Sequence, residues 1–177
     1  MKIKIINSIQ NQLFELTNRN FSKKYIEIYI LPIINYIICS KNNKFIISGS
    51  QGIGKSTLLK IIEKNLKLFF KKNVLALSLD DYYLSKLQRV KLSKKFHKLF
   101  ITRGVPGTHD IKQLKRNIKS FNKSKYPIIL PIFNKIDDDV SNKIKKIKEK
   151  SDILILEGWC CGCPPLKKHY LFKDINN

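Results

Sequence analysis

Residues 49 to 57 place glycines, a lysine and hydroxyl side chains in an order that suits phosphate binding. They fit the pattern G-x-x-x-x-G-K-[ST] in full. The glycines let successive backbone N–H groups point into one cradle at the start of a helix, where the helix dipole favours anions. Lys55 can reach the outer phosphates, the Ser56 hydroxyl can bind Mg²⁺, and Thr57 can donate to a phosphate. The residues predicted to hold a nucleoside triphosphate are Gly49, Ser50, Gln51, Gly52, Ile53, Gly54, Lys55, Ser56 and Thr57.

Carboxylates follow two other apolar runs of the sequence. Asp80 and Asp81 come at the end of "NVLALSLD", and Glu157 comes at the end of "DILILEG". Because ligands bind where the carboxyl ends of parallel strands meet, we expect these acids to lie beside the phosphate loop. A hydroxyl acceptor needs a carboxylate that takes its proton, and Glu157 suits an acidic group close to Mg²⁺. The alternative is that these acids only end strands or cap helices.

The segment "RGVPGTHD", residues 103 to 110, joins polar side chains to turn-forming residues. Arg103 can bind a carboxylate or phosphate through two parallel hydrogen bonds, and His109 can hydrogen-bond a hydroxyl. The alternative is that Asp110 caps the following helix and Arg103 is a surface charge. The residues alone leave both interpretations open.

The surrounding elements alternate between short apolar strands and helices, which indicates an α/β fold with a parallel sheet. Two helical segments are predicted within residues 1–40, the second interrupted near Pro32. Val140, Ile144 and Ile147 predict a later helix with an apolar stripe. We expect one domain over residues 1–177, with N-terminal helices at 1–40, a core at 44–162 and a short tail at 163–177. The other predicted elements are strands at 44–48, 73–80 and 152–158, an extended segment "YPIILPIF", and helices at 55–70, 84–100 and 110–121.

The formal net charge is +22, carried mostly by lysines that are scattered along the whole chain. Sites that bind bases or phosphates in nucleic acids favour arginine, and the chain has four arginines, Arg19, Arg89, Arg103 and Arg116. Abundant Lys, Ile and Asn are typical of an A+T-rich genome. We therefore do not expect specific nucleic-acid binding.

The sequence predicts a cytoplasmic protein without a membrane span. The first residues lack the continuous apolar run of a signal peptide. The apolar stretch "YIEIYILPIINYIIC" is too short to span a bilayer, which needs ~20 apolar residues. Cys160, Cys161 and Cys163 match no usual zinc spacing, so we expect reduced thiols that fill space under the site.

Four segments, "GSQGIGKSTL", "LSLDDYYL", "RGVPGTHD" and "ILEGW", together resemble the D-glycerate 3-kinase family. These are P-loop kinases related to phosphoribulokinase, uridine kinase and pantothenate kinase, and the resemblance runs from about residue 44 to residue 162. It implies a P-loop sheet and ATP-dependent phosphorylation of a small-molecule hydroxyl, D-glycerate by default. It also implies that Asp80 accepts the proton, that Lys55 and Arg103 are catalytic, and that Mg²⁺ binds near Ser56, Asp80 and Glu157. The acceptor pocket implied by the resemblance contains Asp81, Tyr83, Arg103, His109 and Asp110.

The chain departs from the family in two places. After Lys135 it has Ile136-Asp137-Asp138-Asp139, where the family has a glycine-rich turn with an arginine. Family members also continue beyond the strand that ends near residue 158, so we expect an incomplete sheet with the phosphate-loop strand at its edge. That edge would be covered by the N-terminal helices or by a partner chain such as a second copy. The alternatives to a glycerate kinase are a uridine- or pantothenate-type kinase, a nucleotide-binding remnant or fragment, and a nucleic-acid-binding protein.

Overall fold

The computed structural model of the protein describes residues 1–163, so the predicted tail from residue 164 onward lies outside the described residues. The helices are α1 (Lys2–Thr17), α2 (Lys23–Tyr25), α3 (Leu31–Cys39), α4 (Lys55–Phe70), α5 (Lys86–Lys95) and α6 (Ile111–Asn122). The strands are β1 (Lys44–Ser48), β2 (Val74–Ser78), β3 (Ile128–Asn134), β4 (Asp139–Ile147) and β5 (Ile153–Gly158). Single helical turns follow the 3₁₀ pattern at Leu79–Tyr82 and Lys98–Ile101, and a π-helical stretch covers Ile26–Ile30.

The predicted parallel sheet is confirmed, with three strands in the order β1-β5-β2. Both neighbours run parallel to β5, and the register pairs Ser48 with Gly158 and Ser78 with Glu157. All three strands therefore end at one edge, where polar side chains follow them. Among the described strands, β1 pairs with β5 alone, so it is an edge strand there, as the sequence predicted.

The two faces of this sheet are covered by different elements. On one face, helices α1, α3 and α4 bury a cluster of aliphatic side chains against alternate strand residues such as Ile47 and Ile155. On the other face, α6 and β3 pack against Leu75, Leu77 and Leu154. Ile46 of β1 stays 55% exposed, so within residues 1–163 the cover on that second face does not extend to the edge strand.

The N-terminal helices are continuous from α2 through the π-helical stretch into α3. Within that stretch, the N–H of Leu31 donates to the carbonyl of Ile26. Pro32, near the start of α3, has no N–H to donate, so the regular helical ladder is broken just before it. The predicted interruption near Pro32 is therefore present as a change from α-helical to π-helical hydrogen bonding and not as a break in the helical segment.

The helix predicted at Val140, Ile144 and Ile147 is wrong, because these residues lie on strand β4, which pairs antiparallel with β3. A spacing of four residues suits one face of a strand as well as one face of a helix. Between Pro131 and Phe133 of β3 the register shifts, so that Pro131 pairs with Ile144 and Phe133 pairs with Val140. The result is a two-stranded sheet separate from the parallel one.

Within residues 1–163 every helix is too short or too polar to cross a membrane.

Candidate active site

The phosphate loop leaves β1 and turns sharply into α4. Gly52 and Gly54 have φ values of +78° and +91°, a conformation that side chains rarely adopt, so glycine is required at both turns. Gly54 is the N-cap of α4, and the N–H of Leu58 donates to its carbonyl. Lys55 Nζ donates to the carbonyl of Ser50 at 2.7 Å and forms no ion pair with a described residue. The lysine charge thus lies across the loop without a carboxylate partner in the part of the chain that the structure describes.

Glu157 is the penultimate residue of the central strand β5 and is only 4% exposed. One of its oxygens, Oε1, accepts hydrogen bonds from Ser56 Oγ at 2.9 Å and from Ser78 Oγ at 2.6 Å. The register explains the second bond, since Ser78 lies opposite Glu157 in the sheet. The strands therefore bring a hydroxyl and a carboxylate together beside the loop, which are oxygen ligands that suit Mg²⁺.

Asp80 and Asp81 lie on the 3₁₀ turn after β2, and the turn points their carboxylates in different directions. Asp80 accepts from the Tyr83 hydroxyl at 3.2 Å and pairs with Lys135 Nζ at 2.9 Å. Burial raises the pKa of Tyr83 to about 12, helped by Asp80, so the hydroxyl remains a donor. Asp81 instead accepts the N–H of Phe133 at 3.2 Å. Burial raises the pKa of Asp81, although this hydrogen bond and Lys135 oppose the rise.

Arg103 pairs with Asp138, in the turn between β3 and β4. Asp138 also binds Nη2 of Arg89, whose side chain is completely buried, through Oδ2 at 2.8 Å and its own carbonyl at 2.6 Å. Burial opposes ionisation of Asp138, but the hydrogen bonds and charges of the two arginines outweigh it and lower the pKa of its carboxyl. The guanidinium of Arg103 also lies 5.7 Å from the ring centroid of Phe133. One hairpin carboxylate therefore fixes both arginines.

His109 stacks on Tyr83, with ring centroids 4.4 Å apart. Burial lowers the pKa of His109, although the charge of Asp80 opposes this, so the imidazole is neutral at pH 7. Its Nε2 is buried and has no hydrogen-bond partner among the described residues. Asp110 accepts the N–H of Gln113 at 2.8 Å, so the alternative of a helix cap for Asp110 is the one observed.

A cavity of about 690 Å³ opens at the carboxyl edge of the parallel sheet. Among the predicted site residues, its walls include Gln51, Gly52, Gly54, Lys55, Ser56, Thr57, Asp80, Tyr83, Arg103 and Glu157. Gly49, Ser50, Ile53, Asp81, His109 and Asp110 do not line it. Four segments that are far apart in the sequence thus share one cavity.

Curated kinases match this chain, although no family model matches it. The "Probable ATP-dependent kinase TDA10" of Saccharomyces cerevisiae is 36% identical over 132 residues, 67% of this chain and 46% of that protein. A "Pantothenate kinase" of Bacillus subtilis is 27% identical over 112 residues. The chain spans about half the length of the first curated relatives it matches, 46% and 47%.

Solved structures of kinases are also similar to this chain. A D-glycerate 3-kinase from Cryptococcus neoformans superposes with a TM-score of 0.66 at 28% identity, over 80% of this chain and 53% of that one. The chain belongs to the P-loop kinases. The resemblance inferred from the four sequence segments is therefore confirmed.

Five residues of this P-loop kinase that line the cavity were missed as site residues by sequence reasoning, Thr102, Lys135, Asp138, Gly158 and Trp159. Trp159 could have been found, since it stands in the quoted "ILEGW". Lys135 comes just before the hairpin turn that departs from the family pattern, and Asp138 lies within it. Only the fold shows that they face Asp80 and Arg103.

The cysteine cluster of this P-loop kinase lies just after β5. Cys161 is buried among the second-face core residues, and burial raises its pKa to about 11. An added Cβ at Gly158 would lie 2.6 Å from Cys161 Sγ, so the thiol packs closely against the end of the strand. This agrees with the space-filling interpretation for Cys161, while Cys163 is exposed.

Proposed function

We propose that the chain catalyses phosphoryl transfer from ATP to a hydroxyl of D-glycerate or a similar small carboxylate. The observation that carries the proposal is the shared cavity, whose walls bring the phosphate loop together with Asp80, Arg103 and Glu157. The matches to an ATP-dependent kinase and to a D-glycerate 3-kinase support the donor and the acceptor respectively.

On the donor side, the loop amides and Lys55 would bind the triphosphate. The unpaired position of Lys55 supports this role, because its charge is not neutralised by a carboxylate of the described chain. Mg²⁺ held near Ser56, Asp80 and Glu157 would supply positive charge to the transferring phosphoryl group. The buried Glu157 would orient the Ser56 hydroxyl, which now donates to it at 2.9 Å.

On the acceptor side, the hydroxyl oxygen would attack the terminal phosphorus as the bond to the bridging oxygen of ADP breaks. Asp80 would take the hydroxyl proton, and the Tyr83 hydrogen bond would orient its carboxylate. Arg103 would bind the acceptor's carboxylate. Among the described residues its hydrogen bonds use Nη1, which leaves Nη2 and Nε for a ligand.

The other predicted acceptor residues, His109, Asp81 and Asp110, do not line the cavity and would act on the groups that do. His109 stacks on Tyr83, Asp81 holds the backbone of β3, and Asp110 caps α6. We propose that they position Tyr83 and the hairpin. Covering of the β1 edge by a second copy and a cytoplasmic location remain predictions from the sequence.

The test is ADP release by the purified chain with MgATP and a panel of D-glycerate, pantothenate, uridine and ribulose 5-phosphate. We expect turnover with D-glycerate and little with the others. Turnover with another acceptor alone would contradict the glycerate assignment, and the pantothenate kinase matches make pantothenate the first alternative. ATP binding without single-turnover transfer to any acceptor would instead identify a nucleotide-binding remnant.

A further inference from the structure

Two cysteines lie at the two ends of the turn that follows β5. Cys160 and Cys163 are separated by two residues, and the N–H of Cys163 donates to the carbonyl of Cys160 at 3.4 Å. Gly162 between them has φ of +79°, whereas the φ of Cys161 is not positive, and this combination is typical of a type II turn. The hydrogen bond and the glycine therefore place the two cysteines at the first and fourth positions of a β-turn.

This turn brings Cys160 and Cys163 within reach of a disulfide bond. The Cα atoms at the two ends of a β-turn lie less than about 7 Å apart. A disulfide needs Cα atoms about 4.4–6.8 Å apart. Burial raises the pKa of the Cys160 thiol, and the charge of Cys163 raises it further, as expected for two neighbouring thiols. The backbone spacing therefore already suits a disulfide between them.

The two thiols differ in their access to solvent. Cys163 is exposed, whereas Cys160 is partly buried and packs against the core cluster on the second face of the sheet. An exposed thiol can react with an oxidant in solution, and a neighbouring thiol can then displace the oxidant to close a disulfide. The pair thus has the arrangement of an attacking cysteine, Cys163, and a resolving cysteine, Cys160.

A C-x-x-C pair also occurs as half of a tetrahedral zinc site. Within residues 1–163, however, His, Cys, Asp and Glu side chains form no group of three or more that could hold a metal ion. Cys161, the third thiol of the cluster, is buried and packs against Gly158. The described residues therefore favour thiol chemistry over metal binding at this turn.

The turn is joined directly to the wall of the main cavity. Gly158 and Trp159 line that cavity and immediately precede Cys160 in the sequence. Packing at Gly158 is tight, since an added Cβ would lie 2.8 Å from the Cβ of Leu79. Trp159 is 39% exposed and less confined. A change in the conformation of the turn should therefore move Trp159 more than it moves the end of β5.

We propose that Cys160 and Cys163 form a reversible disulfide that moves Trp159 and lowers turnover in the main cavity. The oxidant is a small-molecule disulfide such as oxidised glutathione. The Cys163 thiolate attacks one of its sulfurs, the S–S bond breaks, and one glutathione thiolate leaves. The Cys160 thiolate then attacks the Cys163 sulfur of the mixed disulfide and releases the second glutathione thiolate. The two cysteines lose two electrons and two protons in total, and the two glutathione molecules take up both.

The test uses the full chain, treated first with oxidised glutathione and then with dithiothreitol. Peptide mass mapping should show one intramolecular disulfide, between Cys160 and Cys163, which dithiothreitol removes. The chain has one tryptophan, so intrinsic fluorescence reports on Trp159 alone. Oxidation should shift this emission and lower ADP release with MgATP and D-glycerate, and reduction should restore both. The effect on ADP release rests on the proposed function, whereas the disulfide and the emission shift do not.

Single substitutions separate the two steps. Cys160→Ser should stop at a glutathione mixed disulfide on Cys163, because the resolving thiol is missing. Cys163→Ser should form no disulfide at either end of the turn, and its emission and turnover should not respond to oxidised glutathione. Cys39→Ser removes another exposed thiol, at the end of α3, and is the matched control that should respond as the wild-type chain does.

Three results would overturn part or all of the proposal. A stable mixed disulfide on Cys163 in the wild-type chain, or a disulfide that involves Cys161, would overturn the pairing. Formation of the Cys160–Cys163 disulfide without a change in Trp159 emission or in turnover would overturn the link to the cavity. If the reduced chain releases no ADP with any acceptor, the proposed function fails, while mass mapping and Trp159 emission still test the disulfide.

Discussion

The donor and acceptor sides of the main cavity are held in different ways. On the donor side, Glu157 is fixed by the hydroxyls of Ser56 and Ser78, and Lys55 bonds to a carbonyl of its own loop. On the acceptor side, Asp80 and Arg103 are each paired with an oppositely charged residue of the β3–β4 hairpin, Lys135 and Asp138. The first side depends on a local motif and sheet register, and the second depends on charges brought from a distant segment.

The difference has a physical consequence for ligand binding. On the donor side, Lys55 has no ion-pair partner among residues 1–163, so phosphate binding need not break an ion pair of the described chain. On the acceptor side, the charges of Asp80 and Arg103 are partly neutralised before any ligand binds. Acceptor binding should therefore depend on how firmly the hairpin holds each of its two pairs.

Replacement of Asp80 by Asn should have the largest effect, because it removes the proposed proton acceptor. We expect the turnover number to fall by about 10²–10⁴-fold and the affinity for MgATP to fall by much less, since Asp80 is one of three side chains proposed to lie near Mg²⁺. Steady-state ADP release and calorimetry would measure the two quantities. Glu149→Gln, an exposed carboxylate at a distance from the cavity, is the control for loss of one negative charge. Retention of turnover in Asp80→Asn would contradict the role of this residue.

Lys55→Met, on the donor side, should lower the turnover number almost as much as Asp80→Asn does. Removal of one preorganised donor to developing charge typically costs about 10²–10³ in rate. Tripolyphosphate affinity should also fall, because the lysine charge is lost from the ground state as well. Lys67→Met removes the same charge from an exposed position of α4 and is the matched control. Unchanged tripolyphosphate binding in Lys55→Met would mean that the lysine does not contact the phosphates.

Asp138→Asn removes the carboxylate that pairs with Arg89 and Arg103. Its effect can be measured as a change in the free energy of unfolding. Arg89 is completely buried, so loss of its charged partner should lower the free energy of unfolding by about 1–3 kcal/mol. Asn is chosen because residue 138 has φ of +53°, which Asn tolerates. Urea unfolding would measure the change, with the exposed Asp137→Asn as control.

The same variant carries a pH signature with a definite sign. The pKa of Asp138 is lowered in the folded state, so its contribution is fully present above its unfolded pKa, about 3.9. It is lost as the pH falls below that value toward the folded pKa. The stability difference between the wild-type chain and Asp138→Asn should therefore be about constant from pH 5 to 8. It should shrink below about pH 4. A difference that grows on acidification would contradict the pairing.

The sequence could predict the donor side because its geometry is local. A glycine turn between a strand and a helix places Lys55 and Ser56 regardless of the rest of the chain, and parallel register then brings Glu157 beside them. The acceptor side could not be predicted in the same detail. Whether Asp80 or Asp81 faces the cavity depends on a 3₁₀ turn, and the partners Lys135 and Asp138 depend on a hairpin whose second strand has helix-like apolar spacing.

Lys135→Met should have the smallest effect on stability. It therefore distinguishes the Lys135–Asp80 pair from the Asp138–Arg103 pair. The side chains of Lys135 and Asp80 are 62% and 32% exposed, and exposed pairs contribute about 0–1 kcal/mol, which salt reduces further. We therefore expect a loss below about 1 kcal/mol in urea unfolding at low salt and almost none at high salt. The Tyr83 hydrogen bond would still orient Asp80. A loss as large as that of Asp138→Asn would mean that both pairs hold the hairpin equally. A small loss would mean that Lys135 is free to leave Asp80 when Mg²⁺ and ATP arrive, while Asp138 keeps Arg103 in place.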